Sequence, residues 1–217
     1  MRIAPPRSRR FALRLIALLA ALAPAAAHAA PPGLDARDIS REMIIGDPAA
    51  PVGGDPKGDV TIVAYLDYNC GFCKRSAPAL ERLVKTDGRI KLVYKDWPIL
   101  AESSVAGAKI ALAAKYQGKY EAAHRALMSL PGGNVAQAKM LAAAATAGID
   151  MARLETDAAA HDAEIVALLK RNDAQARGMG FAGTPVYLIG PLLVAAAPTY
   201  EEFRDAVAQA RERQQGR

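Results

Sequence analysis

Hydrophobic and polar positions change period several times along this 217-residue chain, and each change marks an element. The run Val60–Leu66 is apolar and rich in β-branched residues, which predicts a strand buried on both faces. A helical period follows over residues 70–84 with Pro78 inside it, and a proline there should kink the helix. A second strand is predicted over residues 90–94. From residue 103 to 179 the pattern is helical without a clear strand, punctuated by Gln117-Gly118, Pro131-Gly132-Gly133 and Gly148. Asn134 and Asp150 are N-cap candidates there. The longest helical segment covers 162–177, with Ile165, Leu168 and Leu169 at helical spacing. Two short strands, 186–189 and 192–195, are joined by Gly190-Pro191, and an amphipathic helix over 200–213 follows, with Thr199 as its cap. Nearer the start, a short helix is predicted over 38–45 and a Gly- and Pro-rich loop over 46–58. The order is β-α-β, a helical block, then β-β-α. Parallel pairing in the first half and a hairpin in the second make a mixed sheet with helices on its faces.

The first 30 residues follow a different pattern. Arg2, Arg7, Arg9, Arg10 and Arg14 occur with no acid, an apolar run extends from Phe11 to about Ala23, and Pro24 precedes Ala25-Ala26-Ala27-His28-Ala29-Ala30. This is the three-part form of a secretory signal, with cleavage expected near Ala29. The apolar run is shorter than the ~20 residues a membrane span needs, so an uncleaved anchor is the weaker reading. Ser8-Arg9-Arg10 hints at a twin-arginine signal, but Ala12 stands where an aromatic is usual, and general secretion is the default.

Removing that leader changes the charge balance. The whole chain has 28 Lys and Arg against 22 Asp and Glu; without the five leader arginines the count is 23 against 22. The basic character therefore belongs largely to the leader and is no argument for nucleic-acid binding. The remaining length suits one domain, alone or with a large insertion. No internal repeat, phosphate loop or hydrolase triad is present.

The only two cysteines, Cys70 and Cys73, lie within Asp67-Tyr68-Asn69-Cys70-Gly71-Phe72-Cys73-Lys74, where a predicted strand gives way to a predicted helix. The free N–H groups and positive dipole end of the helix favour a thiolate at the first sulfur, and the thiolate is the nucleophile. Cys73, one turn on, is placed to close a ring with it. A purely structural disulfide is disfavoured because so small a ring constrains little unfolded-chain entropy. Zinc needs about four nitrogen or sulfur ligands, yet His28 is in the leader and His124 and His161 stand alone on helical segments, so no metal site is expected. A redox pair is the reading, in an exported setting where disulfides persist.

Three motifs then carry a resemblance: Asp67-Tyr68-Asn69-Cys70-Gly71-Phe72-Cys73, Lys95-Asp96-Trp97-Pro98-Ile99-Leu100, and Gly183-Thr184-Pro185 before a strand. Over about residues 55–213 the chain resembles the thioredoxin superfamily, and within it the DsbA-like proteins with a helical insertion. It looks more like the periplasmic ScsC-like and BdbD-like groups than the short cytosolic thioredoxins. The resemblance implies an α/β thioredoxin fold, a mixed central sheet flanked by helices with an inserted α-helical domain. The segments would be a signal peptide (1–29), an extension or linker (30–58), the thioredoxin-like domain (59–100 and 181–213), the insertion (101–180) and a tail (214–217).

The resemblance further implies that Cys70 and Cys73 are catalytic and form a Cys70–Cys73 disulfide when oxidised, and that Thr184, Pro185, Gly71 and Phe72 bind substrate. It implies a cis Pro185, a bend without a backbone donor beside the sulfurs; a trans proline opening an edge strand is the competing reading. No cofactor is implied. One departure concerns the acid that many relatives carry six residues before the first cysteine, where this chain has Ala64. Proton transfer at Cys73 would then use water or another group, with Asp67 and Lys95 as candidates; both also read as solvated charges at strand ends, the preferred reading for Asp67. Gly71-Phe72 lacks the central histidine of the most oxidising relatives, which points to a milder oxidant or a reductant.

The expected function is a periplasmic thiol:disulfide oxidoreductase that forms, reduces or isomerises protein disulfides. Its expected partners are cysteine-containing exported proteins and a membrane redox protein that recycles the pair, with no nucleic acid. A monomer is expected, because the segment before the fold lacks a sustained heptad. The alternative is a Cu(I)-binding thiol protein, for which Met179 is a candidate third ligand, although a loop or core methionine is its ordinary reading. A detoxifying transferase on the same fold fits poorly, because such relatives tend to lack the cysteine pair.

Overall fold

Strand β2 (Val60–Leu66) forms where the apolar run predicts it and is buried almost throughout. The computed structural model describes residues 36–216; the leader expected over 1–29 and the start of the extension lie outside the described residues. Beside β2 runs β3 (Ile90–Asp96) in parallel, in register from Val60 opposite Ile90 to Leu66 opposite Asp96. It is two residues longer than predicted, because Lys95 and Asp96 continue the ladder in spite of their charge, and both are buried. On the other side β4 (Val186–Ile189) pairs antiparallel with β2, and β5 (Leu192–Val194) pairs antiparallel with β4.

One strand was not legible. Residues 46–58 read as a loop, yet β1 (Val52–Gly54) pairs antiparallel with the free edge of β3. Two of its three residues are glycines, so no apolar alternation announces it. Gly54 has φ 68°, and a side chain there would also run into the Ile90 carbonyl. The sheet order is β1-β3-β2-β4-β5.

The predicted helix at 38–45 is divided. A 3-10 turn, Ala36–Ile39, precedes α1 (Arg41–Gly46), and Ser40 separates them by capping Met43 N–H at 3.2 Å. Helix α2 (Gly71–Asp87) runs without a break through Pro78 and ends at Gly88, φ 70°. Five α-helices lie between β3 and β4: α3 (Glu102–Ala114), α4 (Tyr120–Met128), α5 (Gln137–Thr146), α6 (Met151–Ala160) and α7 (Asp162–Gly178). Asp150 caps α6 by accepting from Arg153 N–H at 3.0 Å. Asn134 does not cap α5, whose N-cap is Ala136; its side chain instead accepts from Ser103 Oγ at 2.7 Å. Helix α8 (Tyr200–Gln215) opens with a complete capping box between Thr199 and Glu202. Among the described residues no helix is long and apolar enough to cross a membrane.

Strand alternation divides the core into two faces. Val60, Ile62, Ala64 and Leu66 pack with α2, α3, α4 and α8 on one face, while Val63, Tyr65, Val93 and Trp97 meet Ile44 of α1 and Ala176 of α7 on the other. Lys95 sits between Tyr94 and Asp96 and so points to the second face, away from the side on which Cys73 is buried. There its Nζ lies 3.6 Å from Asp47, which also takes Arg171 Nε at 2.8 Å and a second Arg171 nitrogen at 3.1 Å. The side chains of Lys95 and Asp47 are both fully buried. The sequence candidates for proton transfer are thereby corrected: Lys95 is neither solvated nor beside Cys73. It ties β3 to the segment after α1.

Candidate active site

The loop after β2 is held from three sides before the thiols are reached. Asp67, read as a solvated charge, is 1 % exposed. One of its oxygens accepts from Asn69 N–H and Ser104 Oγ, both at 2.7 Å, and the other from the N–H groups of Ile99 and Leu100 at 2.8 and 3.0 Å. Every donor is local, on the β3–α3 connection or in the first turn of α3, so Asp67 is a clamp rather than a strand-end charge. Asn69 extends the clamp. It donates to Ser103 Oγ and Ser104 Oγ at 2.9 Å each and accepts from Val135 N–H at 2.8 Å. Its carbonyl takes Gly133 N–H at 3.0 Å. Gly132 lies so close over Gly71 that a side chain there would stand 2.8 Å from the Gly71 Cα. Sequence reasoning missed this role of Asn69 because one asparagine before a cysteine carries no periodicity.

Cys70 is the N-cap of α2, and its Sγ accepts from Cys73 N–H at 3.3 Å. Both cysteines are free thiols; Cys70 keeps 3 % of its surface and Cys73 none, so of the two sulfurs Cys70 is the one nearer the surface. The two thiols are driven apart. A hydrogen bond from Cys73, with help from Thr184 and the N–H groups of Cys73 and Phe72, outweighs partial burial and brings Cys70 down to about 6. Burial pushes the Cys73 thiol far up, and the neighbouring Cys70 adds to it. Lys74 follows them, lowered to about 8 by its own burial and hydrogen-bonded to the Leu127 carbonyl at 2.7 Å.

The Thr184–Pro185 bond is cis. The Thr184 carbonyl accepts from Cys70 Sγ at 3.2 Å, which joins the β4 loop to the reactive sulfur across the fold. The Thr184 hydroxyl is buried with no nitrogen or oxygen partner. Beside these groups runs a groove of about 720 Å³ lined by Phe72, Phe181, Thr184, Pro185 and Leu193 among others. Of the substrate-binding candidates, Thr184, Pro185 and Phe72 line it; Gly71 does not, and faces the Gly132 loop. Met179 is on the groove wall. Among the described residues no three His, Cys, Asp or Glu side chains cluster as a metal site.

The family model described as thioredoxin matches residues 40–209. This chain belongs to the thioredoxin family. A thioredoxin-like oxidoreductase from Silicibacter pomeroyi is 40 % identical, aligned over 80 % of this chain and 98 % of that one, with a TM-score of 0.74. The thiol-disulfide exchange protein alpha-DsbA2 from Wolbachia pipientis is 30 % identical over 80 % and 94 %, with a TM-score of 0.72. A periplasmic thioredoxin-like protein from Salmonella enterica is 26 % identical over 82 % and 97 %, with a TM-score of 0.67. No curated protein sequence matches the chain.

In this thioredoxin-family member the missing acid at Ala64 is accompanied by a buried acid elsewhere. Ala64 lies opposite Tyr94 on β3 and Tyr187 on β4, and the next even position, Leu66, lies opposite Asp96. Asp96 is 2 % exposed and accepts from Tyr120 OH at 3.0 Å to each oxygen. Tyr120 is 3.5 Å from Tyr68 OH, which meets His124 Nδ1 at 2.9 Å. Burial raises Asp96 to about 7, against the hydrogen bonds of Tyr68 and Tyr120, while burial lowers His124 to about 3 and keeps it neutral. An acid whose folded value is raised contributes stability below its unfolded value and loses it as pH rises through about 7. Asp96→Asn should therefore gain stability relative to the parent between pH 5 and pH 8. Thermal unfolding at both pH values checks this, and an offset independent of pH would refute it.

Proposed function

We propose that this protein is an exported thiol:disulfide oxidoreductase that exchanges disulfides with other exported proteins through Cys70 and Cys73. The observation that carries the reading is the asymmetry of the pair: a lowered thiol at a helix start that keeps a small exposed edge, and a raised, fully buried one behind it. Relatives named for thiol-disulfide exchange and for a periplasmic location support it.

In the oxidising direction a substrate thiolate attacks Cys70 Sγ of the Cys70–Cys73 disulfide. The Cys73 sulfur leaves with the bonding pair and takes up a proton. A second substrate thiolate then attacks the substrate sulfur of the mixed disulfide and releases Cys70 as thiolate. The substrate loses two electrons and the pair gains them. In the reverse direction the Cys70 thiolate attacks a substrate disulfide and Cys73 resolves the intermediate. A low leaving-group pKa at Cys70 speeds its release from the mixed disulfide. A membrane redox protein resets the pair, and the protein acts as a monomer.

The test is to acidify intact cells, alkylate free thiols with a mass tag and count the tags on the exported protein. A mostly oxidised pair marks a donor of disulfides; a mostly reduced pair marks an isomerase or reductase supplied with electrons. A protein that is retained in the cytoplasm and never enters a mixed disulfide would overturn the proposal.

A further inference from the structure

We infer that the groove beside Cys70 selects substrate segments that carry an acidic side chain close to their cysteine, and that Arg75 receives that acid. This inference rests on the proposed exchange at Cys70 and narrows its substrates. Apart from one residue the groove wall is uncharged, made of apolar side chains such as Phe72, Phe181 and Leu193 and the backbone around Thr184 and Pro185. Arg75 is its single charged side chain. Phe72 and Leu193 are each 57 % exposed, so an apolar segment laid in the groove removes both from water.

Arg75 is one helical turn beyond Phe72, and its guanidinium carbon lies 4.1 Å from the centre of the Phe72 ring. Among the described residues no carboxylate forms an ion pair with it, whereas Arg171 and Arg211 on other surfaces are each paired with aspartates. A guanidinium stacked on a ring keeps its N–H fork free at the edges, a geometry that fits a carboxylate in bidentate fashion. The stack also limits the rotamers the arginine must give up when it binds. The groove reaches the reactive sulfur through Thr184, whose carbonyl holds Cys70 Sγ at 3.2 Å. A substrate cysteine joined to Cys70 therefore places its flanking residues along the wall that Arg75 charges. An ordinary solvated surface arginine would make the opposite forecast, indifference to the charge of those residues.

The experiment uses symmetric disulfides of three extended peptides, alike except for Glu, Gln or Lys two positions from the cysteine. Initial rates with the reduced protein are each divided by the same peptide's rate with a small neutral thiol, which removes differences in intrinsic reactivity. At low salt the Glu peptide should react about five-fold faster than the Lys peptide, with Gln between them. The order should collapse in about 0.5 M salt. Arg75→Glu should reverse the ratio within the same variant. Equal normalised rates in the parent protein, or an order unchanged in Arg75→Glu, would overturn the acid subsite. Exchange of the parent protein with dithiothreitol, which is too small to span the groove, separates the two levels. Failure there sinks the exchange reading and the subsite with it; exchange with a flat peptide series sinks only the subsite.

Discussion

Cys70→Ser should reduce thiol–disulfide exchange to the uncatalysed background, while Cys73→Ser should stop at the mixed disulfide. A serine hydroxyl cannot form or leave from a disulfide, so no route around Cys70 exists. Cys73 is fully buried and its thiol raised, so its loss spares the first attack and removes only the resolving step. Insulin reduction and non-reducing gels separate these outcomes. Turnover retained in Cys70→Ser would overturn the assignment, as would an absence of trapped adducts in Cys73→Ser. The parent protein should also show pH-dependent alkylation. Reaction at Cys70 should rise through a midpoint of about 6, because the Cys73 hydrogen bond, with the helix N–H groups, stabilises the thiolate. Cys73 should remain unreactive at neutral pH. The same lowered value stabilises the folded dithiol protein above the ordinary thiol range, and that contribution is lost as pH falls through about 6.

Asp67→Ala should be the most destabilising single change at the site, at about 3–5 kcal/mol, since it leaves several buried donors unpaired and each such donor costs about 1–3 kcal/mol. The donors are the N–H groups of Asn69, Ile99 and Leu100 and the Ser104 hydroxyl. For a chain of this size the change corresponds to a melting temperature lower by about 10 °C. Asp67→Asn, which keeps one accepting oxygen, should lose roughly half as much. Thermal denaturation of both variants in the reduced state checks this. A loss below about 1 kcal/mol in Asp67→Ala would show that Asp67 is not the clamp its contacts describe. The exchange rate should fall as well, because Asn69 and the Cys70 cap are positioned through the same loop.

Much of this protein was legible before its tertiary structure. Val60–Leu66 and Val186–Ile189 match their apolar runs, because central strands buried on both faces need apolar side chains at every position. Thr199 and Asp150 cap their helices as their spacing predicts, since a cap is a local hydrogen bond. The position of Cys70 at the start of α2 is local too, and with it the lowering of its thiol. Other features depended on partners distant in sequence. β1 carries two glycines and exists through the exposed edge of β3. Lys95 and Asp96 look alike as adjacent charges, but strand alternation sends one to Asp47 and Arg171 and the other to Tyr120. Asp67 looked solvated because its four donors come from Asn69 and from residues more than 30 positions away. Local pattern thus determined the elements and the place of the cysteine pair at a helix start. The burial of charges, the clamp on the active-site loop and the closing of the groove around Thr184 were decided only when distant segments packed, because their energetics belong to contacts that no short stretch of sequence contains.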